Sequence, residues 1–323
     1  MDSDPIWRRL HEVGPELGVD WRPVRSARSD LEPPPEPAVS GEAEIVEQGG
    51  DFRIHNVGPP AQSRFQFFLD GIEQTRVSGY VGMIPIVHGY VAAAIRQRAD
   101  RSFRTWAVLE EEVLAFPFEH LSPQRLIGLG FPENILLDSS KESDPLHPIR
   151  LAENGRVAIK RRRSRIEAQL ARRWVRSSGG RGWLLVDGGL AIDRSLAACG
   201  RAVGLVKSHR TQFLNPELMY RVLGMRAGER SSVFKPIRPE VGEVYSWYLR
   251  LRSAQGQDIY WALARIEASA NSATLAQADE VRRWILNETA PLSLPDTRWH
   301  VLLYPIRDCE AYLRARKPTL ALS

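Results

Sequence analysis

The sequence predicts an α/β domain, a mixed β-sheet flanked by helices, carried behind an N-terminal extension. Three observations predict it. Apolar runs follow one another from residue 64 to residue 116 without helical spacing, further apolar runs then alternate with stretches of helical period, and the chain before residue 52 is acidic and proline-rich. At 323 residues the chain is long enough for about two domains and buries on the order of three quarters of its unfolded surface.

Taken in order, residues 1–51 read as the extension, with Leu31-Glu32-Pro33-Pro34-Pro35-Glu36-Pro37 as a linker or wrapping arm. The short amphipathic segment ahead of it, residues 2–20, is a candidate docking element for a partner or a second protomer. RFQFFLDG reads as a buried strand ending in Asp70-Gly71, and an antiparallel start follows. Residues 77–95 are uncharged and of the length of a membrane span, but Gly79, Gly82, Pro85, His88 and Gly89 interrupt them. They read instead as one or two buried strands with turns, followed by an Ala-rich helix start. Residues 104–116 form another strand, and residues 121–150, with four prolines, an irregular insertion.

Residues 157–177 have helical spacing, with Ile159, Ile166, Leu170 and Trp174 as the apolar stripe and Gly179-Gly180 as the stop. The runs 183–186 and 202–206 are buried strands that deliver Asp187 and Lys207 at their ends. A helix over 216–223, strands over 244–251 and 259–266, the second a half-exposed edge, a helix over 273–287, a strand over 300–304 and a terminal helix over 306–316 complete the chain.

Composition excludes several classes. Hydrophobic residues at 43% rule out disorder. Two cysteines, Cys199 and Cys309, give neither a disulfide framework nor a zinc ribbon, and no signal peptide opens the chain, so a cytoplasmic location is expected. The formal charge of +5 hides an asymmetry: residues 156–176 carry nine basic side chains and one acid, Glu167. A polyanion is expected there, with Arg161, Arg162, Arg172 and Arg173 contacting backbone phosphates without reading sequence. Trp174, Trp183 and Trp261 are either stacking residues for unpaired bases or, as is commoner, core.

Three acids carry the chemistry. Asp70 and Asp187 each close an apolar run before a glycine, where a carboxylate can project into a sheet-edge crevice and ligate magnesium or manganese. Asp-Gly is also a common turn pair. Glu167 admits two readings, a helical salt bridge with Arg163 at i−4 or, on the flank of the apolar stripe, a ligand facing the sheet. No Walker loop, GxSxG, HExxH or GxGxxG is present, so any ATP use belongs to a partner.

FLDG at Asp70, the arginine-rich helix with Glu167, LLVDGGL at Asp187, GLVKSH at Lys207 and LLYP at Tyr304 resemble, in order and rough spacing, the successive motifs of the NurA nuclease family over residues 64–317. The resemblance implies an RNase H-like, PIWI-related fold over residues 52–323 and a DNA nuclease dependent on Mn2+ or Mg2+. It also implies a homodimer and partnership with a HerA-type hexameric ATPase, without a membrane, in DNA-end repair or phage defence. By position it makes Asp70, Glu167 and Asp187 the metal ligands, with Lys207 and Tyr304 lining the site. The family places a histidine on the terminal helix where this chain has Glu310-Ala311-Tyr312. Asp308, Glu310, His300 or His209 are the candidate substitutes. The competing reading is a catalytically weak or inactive DNA-binding and assembly subunit.

Overall fold

The computed structural model describes residues 6–18, 21–23, 38–56, 58–100, 102–141, 146–177, 182–237, 242–291 and 298–317. The predicted 31–37 linker and the Gly179-Gly180 helix stop lie outside the described residues.

Three long strands, β1 (Phe65–Val81), β2 (Ile84–Ala99) and β3 (Ser102–Phe116), form an antiparallel meander. The Ala-rich stretch predicted as a helix start is the middle of β2. Helix propensity loses to pairing on both sides, and the alanines serve packing: Ala93 faces one helix layer, while Ala92 and Ala94 face the other. Helix α1 (Pro148–Ser177) then crosses one face, starting earlier than its apolar stripe suggested. After it come β4 (Trp183–Asp187) and β5 (Ala202–Val206), β4 parallel to β1 and β5 parallel to β4. An antiparallel meander extended from its first strand by two parallel strands makes the mixed sheet flanked by helices that the sequence predicts. The sheet continues antiparallel through β7 (Leu263–Ser269) to β6 (Val244–Arg250).

Helices α2 (Ser272–Glu288) and α3 (Tyr304–Arg316) are assigned to the opposite face by their core contacts. On the α1 side, Ile159, Ile166, Leu170 and Trp174 pack on Phe67, Leu69, Leu184 and Val186. On the other side, Ile285, Ile306 and Cys309 pack with Phe68, Leu185, Leu205 and Trp247. The strand period of two puts neighbouring residues of β1 and β4 into different cores. Trp174 has no exposed surface, which places it in the core rather than at a base, and truncating it to alanine costs about 3–5 kcal/mol.

Two expectations are corrected. All seven residues of β7 are buried, because the strand lies between β5 and β6 rather than at an edge; its charged residues Arg265 and Glu267 are buried beside one another. No strand spans residues 300–304: residues 298–301 form a turn, in which the Val301 and Leu302 N–H groups both donate to the Arg298 carbonyl, and Tyr304 already opens α3 with Pro305 in its first turn.

The N-terminal residues share this body. In the helix Ile6–Val13, Leu10 packs with Leu17, Trp21, Ile86, Leu114 and Phe116, and the strand Glu42–Ile45 pairs with Phe234–Ile237 at one end of the sheet. Within residues 121–150 a short helix, Pro123–Gly128, and a strand, Leu136–Asp138, parallel to β3, precede α1. Among the described residues no helix is long and apolar enough to cross a membrane.

Candidate metal centre

Parallel pairing in register brings the two Asp-Gly motifs together. Leu69 is opposite Val186, so the next residue of each strand, Asp70 and Asp187, stands side by side with its counterpart. β1 does not end at Asp70; it runs on against β2, and Asp70 marks only the place where its parallel partner stops. Asp70 shares the face of Phe68, the face that α3 covers, and from α3 comes Glu310. One oxygen each of Asp70, Asp187 and Glu310 lie within 4.8 Å of one another.

Glu167 approaches from α1. Its Oε1 stands where a Cβ on residue 71 would be, so Gly71 serves close approach and not a turn. Arg163 lies 3.5 Å from Glu167 and 3.3 Å from Glu73, and donates to the Gly71 carbonyl at 3.2 Å. The helical salt bridge and the sheet-facing placement of Glu167 are thus both present. From the end of β5, the Lys207 ammonium sits 2.7 Å from Asp187 Oδ1.

The electrostatics are those of like charges held in a dry place. Asp70 is 4% exposed. Burial first, then the neighbouring Asp187 carboxylate, pushes its pKa well above the ordinary range. Burial, with Asp187 and Glu73 adding to it against the pull of Arg163, raises Glu167 to about 7. Asp70 Oδ1 accepts the Gly71 N–H at 2.7 Å, while Oδ2 is buried with no hydrogen-bond partner in the protein. Glu310 is steadied from outside the cluster, where Arg298 Nη2 donates to both of its oxygens at 3.0 and 2.9 Å.

These residues fit a divalent cation. An oxygen without a partner, two further carboxylates within reach and anionic oxygen donors throughout are the requirements of Mg2+ or Mn2+. The structure gathers Asp70, Asp187 and Glu310, with Glu167 and Lys207 alongside. The other predicted residues lie elsewhere or are otherwise engaged. Tyr304 opens α3, 47% exposed and tilted against Phe103, nearly two helical turns before Glu310. Asp308 pairs with Arg96 at 2.6 Å, His300 stacks on Trp261 at 3.6 Å, and His209 Nε2 bonds the Leu263 carbonyl at 2.9 Å.

On the basic helix, Arg162 pairs with Glu111 and Arg172 with Asp193, Arg173 lies over Trp106, and Arg161 is exposed. Sequence reasoning missed Arg298 as the partner of Glu310 and the further partners of Arg163. Arg163 at i−4 from Glu167 was visible as a pair, but its reach to Glu73 and Gly71 depends on how α1 crosses β1. Nothing in the sequence marks Arg298, which a turn and one helix separate from Glu310.

No family model matches the chain, and no curated protein matches it. Its fold is similar to that in the crystal structure of the NurA nuclease from Sulfolobus solfataricus, at 12% identity and a TM-score of 0.47, over 80% of this chain and 81% of that one.

Proposed function

We propose that the chain is a divalent-metal-dependent DNA nuclease that hydrolyses phosphodiester bonds. The observation that carries this reading is the convergence of Asp70, Asp187 and Glu310 around a buried, unpartnered carboxylate oxygen, beside a helix whose exposed side is arginine-rich. Asp70, Asp187 and Glu310 would hold the ion, with Glu167 as a further carboxylate, so Glu310 would stand in on the terminal helix for the histidine that the motif series leaves out. Mn2+ or Mg2+ in such a site lowers the pKa of a bound water and offsets charge on the leaving oxygen of an in-line displacement.

The remaining steps belong to the chain's own groups. Lys207 Nζ, now on Asp187, is placed to contact a non-bridging phosphate oxygen as charge develops. Arg161, Arg162, Arg172 and Arg173 hold the DNA backbone without reading bases. The exonuclease or endonuclease role, the homodimer, the HerA-type ATPase partner and a place in DNA-end processing or phage defence extend the proposal and rest on the motif resemblance alone.

The test is cleavage of linear and circular DNA, single- and double-stranded, by the purified chain with Mn2+, Mg2+ or EDTA, beside Asp187→Ala. Degradation that needs metal and vanishes in the variant supports the nuclease. Salt-sensitive DNA binding in EDTA, with no product under any metal, favours the inactive binding and assembly subunit.

A further inference from the structure

The turn that carries Asp187 is held from behind by a buried charge pair on β7. Glu267 has no exposed surface, and its Oε2 accepts the Leu190 N–H at 2.9 Å. Its Oε1 lies 2.5 Å from Arg265 Nη1, which also donates to Ser246 Oγ at 3.1 Å. Three glycines make this reach possible. Gly188 takes φ of +128°, a conformation side chains rarely adopt. A Cβ on Gly189 would come within 2.7 Å of Glu267 Oε2. On β5, in register with Glu267, a Cβ on Gly204 would meet the Gly188 carbonyl at 2.6 Å and the Leu190 nitrogen at 3.2 Å.

The residues after Asp187 therefore fold back over β5, across the one position without a side chain, and are tied at two points. The Gly188 N–H donates to the Leu205 carbonyl at 3.0 Å, and the Leu190 N–H to Glu267. A buried carboxylate satisfied by a guanidinium and a backbone N–H is a rigid anchor, because loosening it leaves both charges without water. We propose that Glu267 is a positioning residue for the metal centre: through the Leu190 N–H it fixes the Gly188-Gly189 turn, and with it the direction in which Asp187 presents its carboxylate.

This inference rests on the metal reading of Asp70, Asp187 and Glu310. The test compares Glu267→Ala with Glu267→Gln, both of which leave Arg265 without its counter-charge. Only glutamine keeps an oxygen for the Leu190 N–H, so the two variants share the stability loss and differ in the tether. Calorimetric titration of the full chain with Mn2+ should show the affinity of Glu267→Ala lowered about 10–100-fold, as for other residues that orient a ligand, with Glu267→Gln recovering most of it. Hydrogen exchange in EDTA should show the Leu190 amide losing protection in Glu267→Ala alone. Wild-type Mn2+ affinity in a folded Glu267→Ala, or equal losses in the two variants, overturns the proposal. Should the wild-type chain take up no Mn2+, the metal reading falls by itself, and unchanged Leu190 exchange in Glu267→Ala would then overturn the tether.

Discussion

Among the described residues, two of the places that bury charge do so with opposite logic. At one, Arg230, 2% exposed, donates to both oxygens of Glu47 at 2.8 and 2.9 Å and to one of Asp279 at 2.5 Å, while the Val233 N–H donates to Glu47. Both carboxylates share the one guanidinium. The Arg230 guanidinium and the Val233 N–H outweigh burial and draw the Glu47 pKa below the ordinary carboxylate value. At the other, Asp70, Asp187 and Glu310 stand together with the Glu167 charge acting on the two aspartates, and burial raises Asp70 and Glu167. A folded chain tolerates the first arrangement because the guanidinium offsets the buried Glu47 carboxylate and Asp279 keeps about half of its side chain in solvent. The second is costly as it stands, and an incoming cation offsets the cost. The difference separates a carboxylate that ties elements together from one that waits for a ligand.

The comparison breaks most readily at the second place. Asp187→Asn should lower metal-dependent cleavage by on the order of 10³-fold, since several kcal/mol of transition-state stabilisation go with the ligand. Its unfolding transition in EDTA should stay within about 1 kcal/mol of wild type. Arg230→Ala should do the reverse. It leaves Glu47 and Asp279 without their shared cation and costs about 3–5 kcal/mol in chemical denaturation, while the folded fraction keeps its Mn2+ affinity.

The pH dependence of stability sharpens the contrast, because the signs oppose. Asp70 and Glu167 have folded pKa values above their unfolded ones, so their contribution is full below the unfolded carboxylate range and is lost as pH rises, for Glu167 through about 7. Glu47 is depressed, so its contribution is present above the unfolded value and lost as pH falls through the folded one. In EDTA, thermal unfolding of Asp70→Asn should therefore show less loss of stability between pH 5 and 8 than wild type. Mn2+ at about 100 times the wild-type dissociation constant should restore about 2.7 kcal/mol to wild type at pH 7 and, with affinity at least tenfold weaker, no more than about 1.4 kcal/mol to that variant. The smallest effect belongs to the surface. Arg161→Ala should leave metal binding unchanged and reduce the slope of DNA affinity against log salt by about 1.

How much of this was legible in the sequence depended on how local the cause was. The runs before Asp187 and Lys207 declared β4 and β5, since a continuous apolar run closing on a polar residue has few other uses. Asp70 was found for a partly mistaken reason, as the end of a strand that in fact continues, because sequence shows an apolar run stopping but not a partner strand stopping beside it. Ala92 to Ala94 misled by composition: small residues there serve two helix layers that lie far away in the chain. Glu310 was one candidate among four, and only the crossing of α3 over β1 singles it out. Glu267 had no sequence signal, since a carboxylate two residues from an arginine on a strand is ordinarily a surface pair.

The central claim is that the cluster of like charges is a cation site. Calorimetric titration of the metal-free chain with Mn2+ at pH 7, beside Asp70→Asn, tests it most directly. Saturable binding in wild type with at least a tenfold weaker affinity in the variant is the result expected from a ligand with a buried, unpartnered oxygen. Equal binding in both chains, or none in wild type, would contradict it.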